Sequence, residues 1–215
     1  MTTKRDRHHT TSQIVAPTIR IYEEGAATFL RRWGSRRKRP PALLLDLLAG
    51  LSKQSPILDL GCGGGQDARF LLAEGFRVVG MDLTTAFLRT AQSTAPSVPL
   101  VLADMRDLPY RDESFDAVWA AACLMHVPKP EAGQVLMRVS RIVRPGGLLA
   151  ATLTYGTRSR ILTDGWMPGR CFARWQKVEL ARVVERSGWK IGSLRVVSNQ
   201  ERKGRWLNLV ARRDG

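Results

Sequence analysis

Cysteine and histidine are scarce in this chain of 215 residues, with three of each, and no two cysteines form a CxxC pair. Cys62, Cys123 and Cys171 are odd in number and widely spaced. That spacing excludes a disulfide framework and a metal site of the zinc-finger kind, and points to free thiols in a reducing compartment. No apolar run approaches the roughly 20 residues of a membrane-spanning helix. The opening "MTTKRDRHHTTSQ" lacks the apolar stretch of a secretory signal. The expectation is a cytoplasmic protein with no membrane partner and no metal. Internal repeats and low-complexity tracts are missing as well. Hydrophobic residues make up 44% and charged residues 25%, a composition suited to one globular domain with a full core.

Negative charge is the other deficit. Thirty-four basic side chains stand against 19 acidic ones, for a net charge of +15. The excess is uneven: residues 1–40 hold 10 basic and 3 acidic groups, residues 41–155 hold 10 and 11, and residues 156–215 hold 14 and 5. The middle is neutral and both flanks are basic, most densely in "RRWGSRRKR" at 31–39. Such flanks raise nucleic acid as a partner. Against it, 27 of the 34 basic residues are arginine, a skew that a GC-rich genome also produces. A charge run is most often a solvated face.

The neutral middle alternates strand-like and helix-like segments, the pattern of a parallel α/β sheet. Strands are expected over 55–61, 76–82, 98–104, 114–124 and 148–155. Helices are expected between them over 65–75, 84–93 (capped by Thr84) and 131–143, the last broken by "RPGG" at 144–147. After a helix over 176–188, the runs 189–197 and 205–212 are separated only by a short polar stretch. A parallel crossover needs about a dozen residues, so these two must form an antiparallel hairpin. The first 15 residues lack apolar periodicity and read as a disordered tail.

Four glycines crowd "DLGCGGGQD" at 59–67, between the first strand and the first helix. Without Cβ atoms, Gly61, Gly63 and Gly65 let the backbone lie against a ligand, and the helix start offers free N–H groups. A dinucleotide fingerprint would want Gly or Ala where Gln66 stands. Asp59, ahead of the turn, would repel a pyrophosphate but meet a cationic or donating group. Asp82 closes the second strand, where a carboxylate accepts from ribose hydroxyls, and Asp104 closes the third, where one can accept from an adenine amino group. The ligand these three aspartates imply has a ribose, an adenine and a positive charge.

"ILDLGCGGGQDARFL", "VVGMDLT", "LVLADMRDLPYRDESFDAVWAAACLMHV" and "VSRIVRPGGLLAATL" resemble the successive motifs of class I S-adenosylmethionine-dependent methyltransferases. The resemblance covers about residues 55–155, and the terminal hairpin fits that family's last two strands. It implies a Rossmann-like, doubly wound sheet of seven strands, mostly parallel, with an antiparallel C-terminal strand. It further implies one methyltransferase domain over 16–215. Within it, cap helices would occupy 16–54, a cofactor-binding core 55–155, a substrate-side loop 156–175, and the last helix and hairpin 176–215. S-adenosylmethionine would be held by Asp59, Gly61, Cys62 and Gly63 around the methionine part and Asp82 at the ribose. Leu83 and Met105 would cover the adenine faces, Asp104 would meet its amino group, and Ala121 would add to the lining. Tyr22, in "IYEEGAATFLRRW", matches a tyrosine that small members place over the cofactor, while Phe29 offers only an apolar contact.

Methyl transfer needs an aligned acceptor and excluded water, and a general base only when the acceptor must lose a proton early. His126, just past the fourth strand, is the candidate base. Cys123 lacks the Pro-Cys context of a nucleophile and reads as a buried thiol. No Asn-Pro-Pro-Tyr motif for exocyclic amino groups is present. Acceptor contacts are expected from the loop over 156–175, with Arg170 pairing a carboxylate or phosphate and Trp166 or Trp175 stacking on an aromatic ring. Phe172 reads as an anchor for the last helix. The expected reaction is methylation of N or O on a small molecule, acidic or aromatic in character. An RNA methyltransferase, an NAD-dependent reductase and a non-catalytic cofactor-binding module are the alternatives.

Overall fold

The computed structural model describes residues 4–33, 40–199 and 204–215. A long helix, α1 (Lys4–Trp33), and a short one, α2 (Ala42–Leu48), precede the sheet. There follow β1 (Pro56–Leu60), α3 (Gln66–Ala73), β2 (Arg77–Asp82), α4 (Thr85–Thr94), β3 (Leu100–Leu102) and β4 (Phe115–Ala121). A single 3-10 turn at Leu124–His126 leads into α5 (Lys129–Ile142) and β5 (Val143–Tyr155). Three two-residue strands come next, β6 (Arg160–Ile161), β7 (Cys171–Phe172) and β8 (Arg174–Trp175). The chain closes with α6 (Lys177–Glu185), β9 (Trp189–Asn199) and β10 (Gly204–Arg213).

The main sheet runs β3-β2-β1-β4-β5-β10-β9, seven strands, with β8 added beside the end of β5. β1 pairs in parallel with both β2 and β4, so the strand order reverses direction there. The ends of β1 and β4 thus frame the crevice where open α/β sheets bind ligands. β10 runs antiparallel to both β5 and β9, as the short connection requires. Side chains alternate between two cores. Ile57 packs with Leu44, Leu47 and Leu71 of α2 and α3, while Leu58 and Leu60 pack with Val135, Val139 and Leu180 of α5 and α6. β4 is buried along six of its seven residues, which accounts for its unbroken apolar sequence.

Three local expectations are corrected. The stretch read as a disordered tail is helical from Lys4, because a nucleated helix extends at one hydrogen bond per residue without an apolar stripe. Residues 1–3, residues 34–39 of the basic run, and most of the polar hairpin connection lie outside the described residues. "RPGG" lies inside the fifth strand, which was expected only from 148: α5 ends at Ile142, β5 begins at Val143, and Arg144–Gly147 form a bulge opposite Asp116 before the ladder resumes at Leu148. A bulge tolerates Pro145, which has no N–H to give a ladder. Thr84 occupies the N-cap position of α4 without a side-chain cap. The carboxylate of Glu23, on α1, accepts from the N–H groups of Thr85 and Ala86 instead. Among the described residues no helix is long and apolar enough to cross a membrane.

Candidate active site

The turn after β1 is fixed from both sides. Gly61 and Cys62 donate backbone N–H to the Met81 carbonyl at 2.7 and 3.0 Å, and Gly63 donates to Asp82 Oδ2 at 2.9 Å. Gly61 has φ +70°, and a Cβ there would sit 2.4 Å from the Cβ of Cys123. Cys123 in turn donates its thiol to the Leu60 carbonyl at 3.0 Å, and burial pushes its pKa up. It is a buried packing thiol. At Gly63, φ +52°, a side chain would meet nothing within 4 Å, so the turn opens onto empty space.

That space is a cavity of about 450 Å³ under α1. Tyr22, Asp59, Gly61, Cys62, Gly63, Asp82, Leu83, Asp104, Met105 and Ala121 all line it, as do His126, Trp166 and Arg170. Asp82 holds the wall together, its second oxygen accepting from the Thr84 N–H at 2.9 Å. Burial raises its pKa against the pull of those backbone hydrogen bonds. Asp104 is already engaged. Arg106 reaches it through Nε at 3.1 and 3.0 Å, through Nη2 at 2.6 Å and through its backbone N–H at 2.8 Å. Burial would lift the Asp104 pKa, but these bonds and the Arg106 charge outweigh it and hold the carboxyl low. An adenine amino group would therefore have to share Asp104 with Arg106, a partner the sequence reading missed.

The roof is aromatic. Tyr22 meets Phe29 edge-on at 5.5 Å, Phe87 at 5.7 Å and the His126 ring at 5.3 Å, and Trp166 stacks on Phe29 at 5.8 Å. A directed chain of hydrogen bonds crosses it. Arg170 Nη1 donates to the Tyr22 hydroxyl at 3.2 Å, and that hydroxyl lies 3.0 Å from His126 Nε2. His126 Nδ1 lies 2.9 Å from the Cys171 carbonyl. A carbonyl only accepts, so Nδ1 carries the proton and Nε2 takes the Tyr22 hydrogen. Burial, aided by the Arg170 charge, pushes the His126 pKa down to about 4. The expectation of a base poised near neutrality is thus corrected: the imidazole is neutral, with its lone pair occupied.

Trp175 is a second correction. Only 2% exposed, it packs with Leu180 and Val184 in the core, away from the cavity, because β8 pairs with β5 and turns its ring inward. Phe172, read as an anchor, lines the cavity, its ring 5.0 Å from that of His126. Arg160, Arg174 and Arg205 line it too and were not singled out from the sequence. Among the described residues no cluster of three His, Cys, Asp or Glu is placed to hold a metal ion.

Residues 58–151 match the family model described as "Methyltransferase domain". Methyltransferase GfsG of Streptomyces halstedii is 32% identical over 171 residues, covering 74% of this chain and 59% of that protein. Malonyl-[acyl-carrier protein] O-methyltransferase of Pseudescherichia vulneris is 35% identical over 135 residues, 62% of this chain and 49% of that protein. The chain spans about half the length of the curated relatives it matches. Among solved structures, 1,6-didemethyltoxoflavin-N1-methyltransferase of Burkholderia thailandensis, with S-adenosylhomocysteine bound, superposes with a TM-score of 0.78. Its sequence is 21% identical, and the match covers 95% of this chain and 91% of that one. The NAD-dependent reductase reading is overturned by the match over 58–151.

Proposed function

We propose that this chain, which belongs to the class I S-adenosylmethionine-dependent methyltransferase family, methylates nitrogen or oxygen of a small molecule. The observation that carries this reading is the shape of one cavity. Its floor is the glycine turn with Asp59, Asp82 and Asp104, and its far side carries Tyr22, His126, Trp166 and Arg170. The donor set suits S-adenosylmethionine. Backbone N–H groups fix both oxygens of Asp82, leaving further lone pairs for a ribose diol. Asp59, 2% exposed beside the turn, suits the ammonium of the methionine part. One relative is named for O-methylation and the toxoflavin enzyme for N1-methylation, so both acceptor atoms stand within reach of this fold.

S-adenosylmethionine supplies an electrophilic methyl on a sulfonium, which leaves alignment and water exclusion to the protein. Tyr22, Phe29, Phe87 and Trp166 do the excluding from above. Neutral His126 fixes the Tyr22 hydroxyl rather than taking a proton from the acceptor. Acceptors that are already nucleophilic near neutral pH, such as a carboxylate oxygen or a ring nitrogen, match this site. Arg170 and Trp166 favour an acidic or aromatic one.

Calorimetry with S-adenosylhomocysteine, followed by a count of methyl groups transferred across a panel of small acids and heteroaromatics, tests the reading. Micromolar binding and turnover on one acceptor class are expected. No binding of S-adenosylhomocysteine would overturn it, and binding without any turnover would favour a non-catalytic module. RNA as acceptor, suggested by the basic flanks, would instead show turnover on RNA that collapses as salt rises.

A further inference from the structure

Charge is segregated inside the cavity. Its aspartates, Asp59, Asp67, Asp82 and Asp104, all come from the chain between β1 and the loop just after β3. Of its arginines, Arg106 is tied to Asp104 at 2.6 Å and Glu131 at 3.6 Å. The other four, Arg160, Arg170, Arg174 and Arg205, come from the opposite half of the fold. Among the described residues, none of these four makes an ion pair with a carboxylate.

Arg170 is the extreme case, being only 5% exposed. Its guanidinium lies 4.8 Å from the Trp166 ring, 5.3 Å from Phe172 and 5.4 Å from Tyr22. Nε donates to the Met167 carbonyl at 3.0 Å and Nη1 to Tyr22, both neutral acceptors. A buried cation without a counter-ion is disfavoured, and rings and carbonyls offset only part of the lost hydration. A second cationic station stands at the end of β5. Arg174 donates from Nε and Nη2 to the Tyr155 carbonyl at 3.2 and 3.0 Å. Arg205 lies 4.2 Å over the ring of the same tyrosine. These bonds hold the Arg174 fork in place, so it meets an anion with little loss of rotamer freedom.

We propose that the methyl acceptor is a small organic acid with at least two anionic groups, one held by Arg170 beneath the aromatic roof and another by Arg174 and Arg205 at the end of β5. This rests on the methyltransferase reading of the same cavity. A monoanion satisfies one station and leaves the other uncompensated. A neutral aromatic acceptor satisfies neither, although Trp166 would stack on it.

Calorimetry on protein saturated with S-adenosylhomocysteine tests this, using tricarballylate, its neutral triethyl ester and inorganic pyrophosphate as probes. Tricarballylate is expected to bind at least about tenfold more tightly than the ester, and Arg170→Gln to weaken it by about tenfold or more. Because Arg170 is buried, Arg205→Gln, at an exposed position, serves as the second variant and is expected to weaken binding severalfold without loss of fold. Pyrophosphate binding more tightly than tricarballylate would support the dianion and assign it to phosphates. Equal binding of acid and ester, or tricarballylate affinity within twofold of wild type in both variants, overturns the proposal. Failure of S-adenosylhomocysteine to bind would overturn the methyltransferase reading instead, and it is measured first on the same sample.

Discussion

Acidification should unfold this protein through His126 in a way that one substitution removes. In the unfolded chain its imidazole titrates near 6.5, whereas burial and then the Arg170 charge push it down to about 4 in the folded protein. Above pH 6.5 both states are neutral and the residue contributes nothing to the pH dependence. Below it the unfolded chain takes up a proton that the folded protein refuses, so stability falls as pH drops from 6.5 towards 4 and levels off beneath. Integrating the two titration curves gives a loss of about 2 kcal/mol at pH 5. His126→Gln cannot titrate but keeps a group to meet the Tyr22 hydroxyl. Urea unfolding of both proteins at pH 8 and pH 5 isolates the effect, since His8 and His9 are common to both. Wild type should lose about 2 kcal/mol more than the variant between those pH values. An equal loss in the two proteins, or an NMR titration placing His126 at 6 or above, would refute the reasoning. The second result would also restore His126 as a competent base.

Asp82→Ala should raise the Kd for S-adenosylhomocysteine by about ten- to a hundredfold, the range of a lost charged hydrogen-bond pair. It should also lower the melting temperature, because the Gly63 and Thr84 N–H groups lose their acceptor; an unchanged Kd would remove the ribose assignment. Trp175→Ala should cost about 3–5 kcal/mol in urea unfolding while leaving cofactor affinity within about twofold, since the ring is core and not site. A changed acceptor range with unchanged stability would put Trp175 back in the cavity. Glu23→Ala should cost about 1 kcal/mol and speed amide exchange in α1 and the first turn of α4. Exchange unchanged in both helices would mean that the Glu23 carboxylate does not hold the roof down.

That the glycine turn and the aspartates converge on one cavity was readable, because it depends on position along strands. A glycine turn after β1 and aspartates at the ends of successive parallel strands must arrive at one edge of the sheet, whatever the packing elsewhere. The opposite side was readable only in part: Trp166 and Arg170 line the cavity as expected, but the rest depends on which way short strands turn. From sequence, Phe172 and Trp175 are two aromatic residues three positions apart in one loop. Only the pairing of β8 with β5 sends Trp175 into the core and leaves Phe172 facing His126. Arg205 sits in a terminal strand whose partner was legible, but its meeting with Tyr155 depends on the register of β10 against β5. The cap of α4 failed for a similar reason: Thr84 is the local choice, and Glu23 wins from 62 residues away with a full charge.

The way α1 is seated bears on the birth of the protein. Glu23 grips the start of α4, and Thr18 accepts the Cys171 N–H across 153 residues of sequence. During synthesis α1 leaves the ribosome ahead of the sheet, yet its bond to the Cys171 N–H is made more than 150 residues later. At about 5–20 residues per second, α1 waits roughly 8–30 s for Cys171 to be made. A nascent chain halted before β7 would own the floor and the rings of the roof but not the Cys171 N–H that Thr18 accepts. Helix α1 is therefore the keystone of the site: made before the sheet it covers, and moored only once β7 has followed.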